Sequence, residues 1–380
     1  MRKLLIILGV PIDDLSMPQA LGRLEEFIAA GRTTGRSHQI ATINADFVVN
    51  SLHDPELRRI LQESDMATAD GMPLVLGARL LGVPLANRVT GADLVPALAE
   101  RAAEKGFSIF LLGARPGVGT RTAEILQERY PGLQIAGVIS PPNVPIQEMD
   151  RSILDQIRSA KPDILLVAFG NPKQEKWIRM YAQMINVPVC IGVGGTFDMI
   201  AGITRRAPIW MQNMGLEWLY RLLQEPRRLW RRYVHDFGYF GYFFVRQWWA
   251  MRQGSLPAPL LPTSESIIVD QKVILNITGR MDTSNYASFV ERAEEALSIT
   301  PFLVVDLSRA TFLDSTAMGA LVALANRARA AGGALRLASV PPDLFRILSL
   351  IRLDHFFDIY DDVETAMGIP GSLVPASPSL

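Results

Sequence analysis

Two apolar runs, each followed at once by glycines and polar residues, decide the fold of this chain: ILLVAFGNPKQEKWI (Ile164–Ile178) and CIGVGGTFDMIAG (Cys190–Gly202). Short apolar runs bounded by turn residues predict buried strands, here Ile164–Phe169 and Val189–Val193. A helical pattern follows each of them. Because α/β proteins bind ligands at the carboxyl ends of parallel strands, the two stretches predict a ligand site at one edge of a sheet.

The same alternation of apolar strands and amphipathic helices extends over residues 1–195. It predicts a Rossmann-like α/β domain with a mostly parallel sheet and helices on both faces. The opening MRKLLIILGVPIDD has a basic end and a short apolar core without a cleavage pattern, so we interpret it as a strand and not as a signal peptide. The predicted strands are Leu4–Val10, Gln39–Thr42, Met66–Asp70, Ser108–Leu112, Gln134–Ile139, Ile164–Phe169 and Val189–Val193.

Composition excludes several classes of protein. Of the 380 residues, 49% are hydrophobic and 20% are charged, which is typical of globular and not of disordered chains. The single cysteine, Cys190, excludes an internal disulfide and a multi-cysteine metal site and fits a cytoplasmic location. No uncharged apolar stretch reaches about 18 residues, so we predict no transmembrane helix.

The amino-acid composition changes after residue 204. The first domain is therefore predicted to span residues 1–204. Residues 205–252 hold nine arginines, three acidic residues and many aromatic residues, and they predict a helical, basic, aromatic appendage. Residues 253–265 are rich in proline and small side chains and predict a linker. A new strand and helix pattern predicts a small α/β domain over residues 266–368, and residues 369–380 predict a disordered tail.

Side chains suited to binding and catalysis follow the ends of two earlier predicted strands. Thr42 and Asn44 lie in ATINAD after the second strand, and Asp70 lies in ATADGMP after the third. A carboxylate there could accept the proton of an attacking hydroxyl, whereas all three residue types also cap helices. Arg88 precedes a helix and could bind a diphosphate bidentately or lie solvated in a loop. Spacing alone leaves these alternatives open.

The two deciding stretches add further candidates at the same sheet edge. Asn171 and Gln174 follow a fully apolar strand, where packing alone does not require polar side chains. Gly194 and Gly195 let the backbone approach a ligand closely, and Asp198 follows them. Since four strand ends carry such loops, their convergence favours a nucleotide-type site over helix capping alone.

Motifs of several enzyme classes are absent. The chain contains neither G-x-x-x-x-G-K-[ST] nor G-x-S-x-G, which excludes a P-loop and an α/β-hydrolase nucleophile elbow. The turn LLGARPGVG does not match the dinucleotide fingerprint, which argues against an NAD-dependent oxidoreductase. The four histidines are scattered and show no metal-ligand spacing, so we expect no metal and no other cofactor.

Arginines are concentrated in GLEWLYRLLQEPRRLWRRY. If one helix stays in phase through Pro226, then Arg221, Arg228 and Arg232 share a face; the alternative is that the proline resets the phase. A basic face with aromatic neighbours suits an anionic membrane surface or a nucleotide diphosphate, and it also suits an interface with another domain or a second copy of the chain. Nucleic acid fits less well, because the basic residues lie among bulky apolar side chains.

Together these motifs resemble the WecG/TagA/CpsF family of bacterial glycosyltransferases over roughly residues 5–240. The matching segments are GVPID, TINAD, ADGMP, RVTG, FLLGARPGV, FGNPKQEKWI, GVGGTFD and RAPIWMQNMGLEWLYRL. The resemblance implies an inverting enzyme that needs no metal. Such enzymes transfer a sugar, often N-acetylmannosamine or its uronic acid, from a UDP donor to a polyprenyl-diphosphate-linked acceptor.

The resemblance also implies roles for the candidate residues. Asp70 would be the general base, Thr42 and Asn44 would position a sugar, and Arg88 and Gln174 would contact diphosphate and sugar. The remaining candidates would line the nucleotide pocket or close the site at the membrane, namely Asn171, Gly194, Gly195, Asp198, Arg221, Arg228 and Arg232.

Residues 266–368 resemble a STAS domain, the fold of anti-sigma-factor antagonists. FLDSTAMGAL places Thr316 at the phosphorylated position of that family, with Ser315 beside it, while Ala317 replaces the usual glycine. Phosphorylation and plain protein docking both remain open, because Ser and Thr are also ordinary helix caps.

We therefore predict a glycosyltransferase of envelope or exopolysaccharide synthesis, peripheral on the inner face of the cell membrane, with a regulatory STAS domain. Expected partners are a UDP-sugar, the lipid-linked acceptor, the membrane surface, a protein bound by the STAS domain and possible further copies of the chain. The alternative is a non-catalytic regulator that senses nucleotide sugars and uses the STAS domain as its output.

Overall fold

The computed structural model describes residues 3–85, 88–214, 216–253, 266–269 and 272–368. The predicted tail 369–380 and all but the first residue of the predicted linker 253–265 lie outside these residues. The elements up to residue 253 are β1 (Leu4–Ile7), β2 (Val10–Asp13), α1 (Met17–Thr34), β3 (His38–Ile43), α2 (Ala45–His53), α3 (Pro55–Glu63), β4 (Met66–Ala69), α4 (Met72–Leu80), α5 (Gly91–Lys105), β5 (Ser108–Gly113), α6 (Val118–Arg129), β6 (Gln134–Ile139), α7 (Ser152–Ala160), β7 (Ile164–Ala168), α8 (Lys173–Ile185), β8 (Val189–Gly192), α9 (Thr196–Ile200), α10 (Ile209–Asn213), α11 (Glu217–Gln224) and α12 (Pro226–Gln253).

The remaining described residues form a second α/β pattern. Its elements are β9 (Ser266–Val269), β10 (Lys272–Met281), α13 (Tyr286–Ile299), β11 (Phe302–Leu313), α14 (Ser315–Ala330), β12 (Ala334–Ala338), α15 (Pro342–Leu350), β13 (Asp358–Tyr360) and α16 (Val363–Met367). The sequence predicted neither β13 nor α16, because short elements give little periodicity.

A six-stranded sheet in the order β4-β3-β8-β7-β5-β6 confirms the predicted parallel α/β fold. Every neighbouring pair of strands in it is parallel. Successive side chains of β5 enter different cores: Ile109 and Leu111 pack with one hydrophobic cluster, and Phe110 and Leu112 pack with the other. Both faces of the sheet are therefore buried, which explains the unbroken apolar runs of its strands.

The predicted first strand, Leu4–Val10, is wrong in its extent and in its sheet. Leu8 and Gly9 have φ angles of 49° and 82°, so the chain turns between β1 and β2. The two short strands form a two-stranded sheet of their own and do not join the six-stranded sheet. Glycine readily adopts the left-handed backbone that this turn needs, whereas leucine gives no local signal for it.

The helical pattern over Gly215–Tyr233 is interrupted at Pro226, so the condition that one helix stays in phase through this proline is not met. Glu225 has φ −128° and ψ 58°, outside the helical region, and it separates α11 from α12. Pro226 opens α12, a position where its missing N–H leaves no helical hydrogen bond unmade. Arg221 therefore belongs to a different helix from Arg228 and Arg232, and helical spacing no longer places the three on one face.

The chain divides into two compact units. The larger unit contains Ile12–Leu76 and Leu85–Phe240, including the six-stranded sheet. The smaller unit contains Met1–Pro11, Gly77–Pro84 and Gly241–Leu380. Its mixed sheet has the order β13-β12-β11-β10-β9, in which only the β9–β10 pair is antiparallel.

Two glycines of α1 provide a matched test of packing in the larger unit. A Cβ at Gly31 would lie 2.7 Å from Pro188 Cβ and 2.8 Å from the Arg36 carbonyl oxygen, whereas a Cβ at Gly22 would meet nothing within 4 Å. We expect Gly31→Ala to destabilise the unit by about 1–3 kcal/mol through overpacking. Gly22→Ala should stabilise it by up to about 1 kcal/mol through helix propensity. Thermal unfolding checks both signs, and equal shifts for the two variants would contradict the packing described.

Candidate active site

One cavity of about 320 Å³ lies in the larger unit, at the carboxyl ends of β3, β4, β7 and β8. Ten of the predicted site residues line it: Thr42, Asn44, Asp70, Arg88, Asn171, Gln174, Gly194, Gly195, Asp198 and Arg221. Arg228 and Arg232 lie in α12, and their side chains lie outside the described structure. Strand ends that are far apart in sequence thus converge on one cavity.

Asp70 directly follows β4 and faces this cavity. Its Oδ2 accepts a hydrogen bond from the backbone N–H of Gly91 at 3.2 Å. Burial is the main cause of a raised pKa for the Asp70 carboxyl, while Arg221 and that hydrogen bond act in the opposite direction. A carboxyl with a raised pKa is a stronger base when ionised, which suits proton abstraction.

Gly91 is surrounded by three polar side chains of the site. A Cβ at this position would lie 3.2 Å from Thr196 Oγ1, 3.5 Å from Thr42 Oγ1 and 3.7 Å from Asp70 Oδ2. Thr42 Oγ1 also donates to the carbonyl oxygen of Gly192 at 3.1 Å. Thr42 and Asp70, predicted from separate strands, therefore lie around the same glycine at the start of α5.

Asn44 fulfils the capping alternative and also lines the cavity. Its Oδ1 accepts from the backbone N–H of Phe47 at 3.2 Å, which caps α2. Across the cavity, Asn171 Nδ2 donates to Asp46 Oδ2 at 3.1 Å. Asn171 Oδ1 is buried and has no hydrogen-bond partner among the described residues, so an acceptor atom remains for a ligand.

Gln174 joins two of the loops that line the cavity. Its Oε1 accepts from the backbone N–H of Gly170 at 3.1 Å and from that of Gly194 at 3.0 Å. These two glycines follow β7 and β8, and the Gln174 side chain is only 1% exposed. The amide therefore connects the loops, a contact that the sequence did not predict.

Glu175 fixes the orientation of that amide. Gln174 Nε2 donates to Glu175 Oε1 at 2.7 Å, and Glu175 Oε2 has no hydrogen-bond partner among the described residues. Burial raises the pKa of Glu175 to about 8, the hydrogen bond from Gln174 opposes the rise, and the charge of Asp46 adds to it. Burial therefore favours the neutral, protonated form of Glu175.

Glu217 gathers three arginines beside the cavity. Its carboxylate lies 3.5 Å from Arg88 Nη1, 3.7 Å from Arg206 Nε and 4.0 Å from Arg221 Nη2. Arg206 in addition binds Asp93 bidentately, with distances of 2.6 Å and 2.8 Å. Residues from α5, from α11 and from the loops before them are thereby held in one charged network.

Asp198 is held by the glycine-rich turn that follows β5. Arg115 Nη2 donates to Asp198 Oδ1 at 2.9 Å, and Arg115 belongs to the segment LLGARPGVG. The arginine is mostly exposed, so the pair is a weak one on energetic grounds. It nevertheless places this turn beside the cavity.

Sequence reasoning missed four residues of the site: Arg206, Glu217, Glu175 and Thr196. Glu217 and Arg221 are four residues apart on α11, a spacing that signals an ion pair within a helix. For Arg206 no local signal exists, because its hydrogen-bond partner Asp93 lies far away in the chain. The Thr196 hydroxyl donates to the nearby Val193 carbonyl, a local bond that gives no sign of a site. Glu175 is a charged residue type that became fully buried, against the usual preference.

The other predicted residues lie in the smaller unit. Ser315 and Thr316 form the first turn of α14, and each is 1% exposed. Among the described helices, none is both long and apolar enough to cross a bilayer. Within the same residues, no group of three or more His, Cys, Asp or Glu side chains could hold a metal ion.

Comparison with known proteins assigns two parts of the chain. Residues 5–254 match the family described as glycosyl transferase WecG/TagA/CpsF, and residues 259–366 match the STAS domain. Both resemblances noted in the sequence are confirmed.

Individual relatives agree with the first match. An N-acetylglucosaminyldiphosphoundecaprenol N-acetyl-beta-D-mannosaminyltransferase of Bacillus spizizenii is 34% identical over 226 residues, which are 58% of this chain and 85% of the relative. The protein of that name from Staphylococcus aureus is 31% identical over 225 residues, 59% of this chain and 86% of the relative.

The crystal structure of an anti-sigma factor antagonist from Mycobacterium paratuberculosis is 24% identical, with 30% of this chain and 97% of that chain covered and a TM-score of 0.28.

The raised pKa of Asp70 predicts an unusual stability effect. A carboxyl whose pKa is raised on folding stabilises the fold in its protonated form, and this stability is lost as pH rises through the raised pKa. We therefore expect Asp70→Asn to raise the unfolding temperature at pH 8, with the gain shrinking toward pH 4.

Asp93→Asn is the matched control with the opposite sign. Burial is the largest single influence on Asp93 and acts against its ionisation, but the hydrogen bonds from Arg206 and Thr90 and the charges of Arg206 and Arg88 together outweigh it. The pKa of Asp93 is therefore lowered, and its ionised form stabilises the fold above the normal pKa. Thermal unfolding from pH 4 to 8 separates the two variants. A loss of stability in Asp70→Asn at pH 8 would refute the assignment of Asp70 as a destabilised carboxylate.

Proposed function

The chain belongs to the WecG/TagA/CpsF family and is a glycosyltransferase, and from this premise we propose that it moves an N-acetylmannosamine-type sugar, or its uronic acid, from a UDP donor to a polyprenyl-diphosphate-linked acceptor. The relatives named above act on such an acceptor by their names. The product would serve exopolysaccharide or other envelope-glycan synthesis. Membership in the family replaces the alternative of a non-catalytic regulator.

The observation that carries this proposal is the meeting of Asp70, Thr42 and a group of arginines at one cavity. Transfer with inversion needs a base beside the acceptor hydroxyl and a stabilised leaving group on the opposite side of the sugar. Asp70 supplies the base, because it is the cavity carboxylate whose pKa is raised mainly by burial. The Thr42 hydroxyl donates to the carbonyl oxygen of Gly192 in β8, and in this proposal it holds a sugar hydroxyl next to Asp70.

The leaving group of the reaction would be UDP, whose diphosphate carries most of the developing charge. Arg88 and Arg221 line the cavity and share the carboxylate of Glu217 with Arg206. Guanidinium groups bind phosphate oxygens bidentately and keep their charge at any working pH. In this proposal they take the place that a metal ion holds in other transferases, so no metal is required.

Membrane association is proposed from apolar side chains left exposed in the larger unit. Ile209 and Trp210 of α10 are 75% and 58% exposed, and Leu223 of α11 is 70% exposed. Arg227 and Arg231 on the first turns of α12 are exposed as well. Exposed apolar and basic side chains together favour an anionic lipid surface, which is where a lipid-linked acceptor resides. The inner face of the cell membrane is the proposed location.

The base assignment is tested by Asp70→Ala. We expect kcat to fall by about 10²–10⁴-fold, the usual worth of a general base, while donor affinity changes little. UDP release from a panel of UDP-sugars with a short polyprenyl-diphosphate-linked GlcNAc acceptor is the measurement. Asp150→Ala, which removes an exposed carboxylate beside α7, is the control and should keep full activity.

The same assay separates the parts of the proposal. Activity that survives EDTA supports a metal-independent reaction, and its loss with recovery on metal addition contradicts it. Asp70→Ala with undiminished kcat would remove Asp70 from the role of base without affecting the choice of donor.

Membrane binding is tested with vesicles that contain or lack anionic lipid. Replacing Arg227 and Arg231 together by Ser should weaken binding to anionic vesicles roughly 30-fold, since each basic residue contributes about 1 kcal/mol. Ile209→Ser with Trp210→Ser should weaken binding to both kinds of vesicle. The control is Met180→Ser with Met184→Ser, which removes exposed apolar side chains from α8. Equal losses in the control and the test pairs would refute a specific membrane face.

A further inference from the structure

Ser315 and Thr316, which lie where STAS domains are phosphorylated, are buried in the smaller unit. Ser315 and Thr316 are each 1% exposed. Thr316 Oγ1 lies 3.0 Å from Thr283 Oγ1, and Thr283 Oγ1 in turn donates to Asp314 Oδ2 at 2.8 Å. Asp314 also caps α14 by accepting from the backbone N–H of Ala317 at 2.7 Å. The start of α14 is therefore a closed set of hydrogen bonds.

Strand β1 covers the same side of α14. Gly319 lies one turn beyond Ser315, and a Cβ at Gly319 would overlap the backbone carbonyl of Leu4. Ile6 belongs to the hydrophobic cluster that α13, α14 and the second sheet build. From Leu4 to Leu8 no residue is more than 1% exposed. The amino-terminal strand thus packs on the STAS domain as part of its core.

The last turns of α12 complete this cover. Ser315 Oγ lies 3.6 Å from Met251 Sδ. One turn earlier, Gln247 is 1% exposed, and its amide bridges the strand: Nε2 donates to the Ile6 carbonyl at 3.0 Å and Oε1 accepts from the Leu8 N–H at 2.9 Å. A buried carboxamide with both of its ends bonded to the strand backbone is a specific attachment, because unpaired buried amides are costly.

We propose that the surface around Ser315 and Thr316 is an internal docking surface whose occupant is this chain's own β1 together with the end of α12. A protein partner or a modifying enzyme reaches these hydroxyls only after this cover has moved. The STAS domain is in this respect unlike a free docking module, since the face that the sequence pattern marks for regulation is already occupied. Regulation through it requires competition with the cover.

Thiol accessibility tests the proposal in the full-length chain. The single natural cysteine, Cys190, is buried in the larger unit, and burial raises the pKa of its thiol, so it reacts slowly. Ser315→Cys should react with a thiol reagent such as DTNB at least roughly 100-fold more slowly than Ser288→Cys, an exposed position on α13. Comparable rates for the two variants would overturn the proposal.

Loosening the cover should then expose the thiol. In the Ser315→Cys chain, Gly319→Leu places a side chain where the Leu4 backbone lies, and Gln247→Ala removes both hydrogen bonds to β1. Each should speed the reaction at least roughly tenfold. Ala330→Leu puts added bulk on an exposed position of α14 and should leave the rate unchanged.

Cys190 reports only whether the larger unit stays folded, so thermal unfolding of each variant checks the smaller unit. A rate increase at the thiol introduced by Ser315→Cys counts as opening of the cover when Cys190 remains unreactive and the smaller unit still unfolds cooperatively. Gln247→Ala adds no bulk, so it decides the matter if Gly319→Leu prevents folding. An unchanged rate in folded Gln247→Ala, or an equal increase in Ala330→Leu, would show that β1 and α12 do not control access.

Discussion

Parallel pairing of β8 with both β3 and β7 is the constraint on which the candidate active site depends. Gly192 lies at this junction, in register with Ala41 on one side and Val167 on the other. A Cβ at Gly192 would lie 2.5 Å from Gln174 Nε2 and 2.6 Å from Glu175 Oε1. Gln174 and Glu175 therefore pack so closely on β8 that only glycine fits at position 192. Since the strands are buried on both faces, a ligand reaches this sheet at its edge, and the cavity lies at the carboxyl ends of four strands.

Two kinds of interaction then turn a sheet edge into a site. Backbone N–H groups of Gly170 and Gly194 share one oxygen of Gln174, which holds two loops in a fixed relation. Charged side chains behave differently, because Glu217 holds three arginines at 3.5–4.0 Å and so at longer range. The first arrangement fixes shape, and the second concentrates positive charge beside Asp70.

The sequence predicted the sheet and the gathering of polar loops well, because both follow from local pattern. Strand Gln134–Ile139 has the predicted bounds. The β1–β2 turn was missed because Leu8, a residue that rarely takes positive φ, adopts 49° there. The partners of Gln174 were missed for another reason. Whether this side chain contacts a ligand or a neighbouring loop depends on residues that are distant in the sequence. The same holds for the burial of Ser315, which depends on residues more than 60 positions away.

The carboxylate of Glu217 has a consequence for how a diphosphate would enter. Arg88 and Arg221 already have this carboxylate as a counterion, so an arriving phosphate replaces one anion by another. Binding then resembles ion exchange, in which the net gain is the difference between two pairings and not the full strength of the new one. Such a site is partly neutralised when empty, and under the proposed function it would release a spent nucleotide more readily than bare guanidinium groups would, because Glu217 can take the place of the departing phosphate.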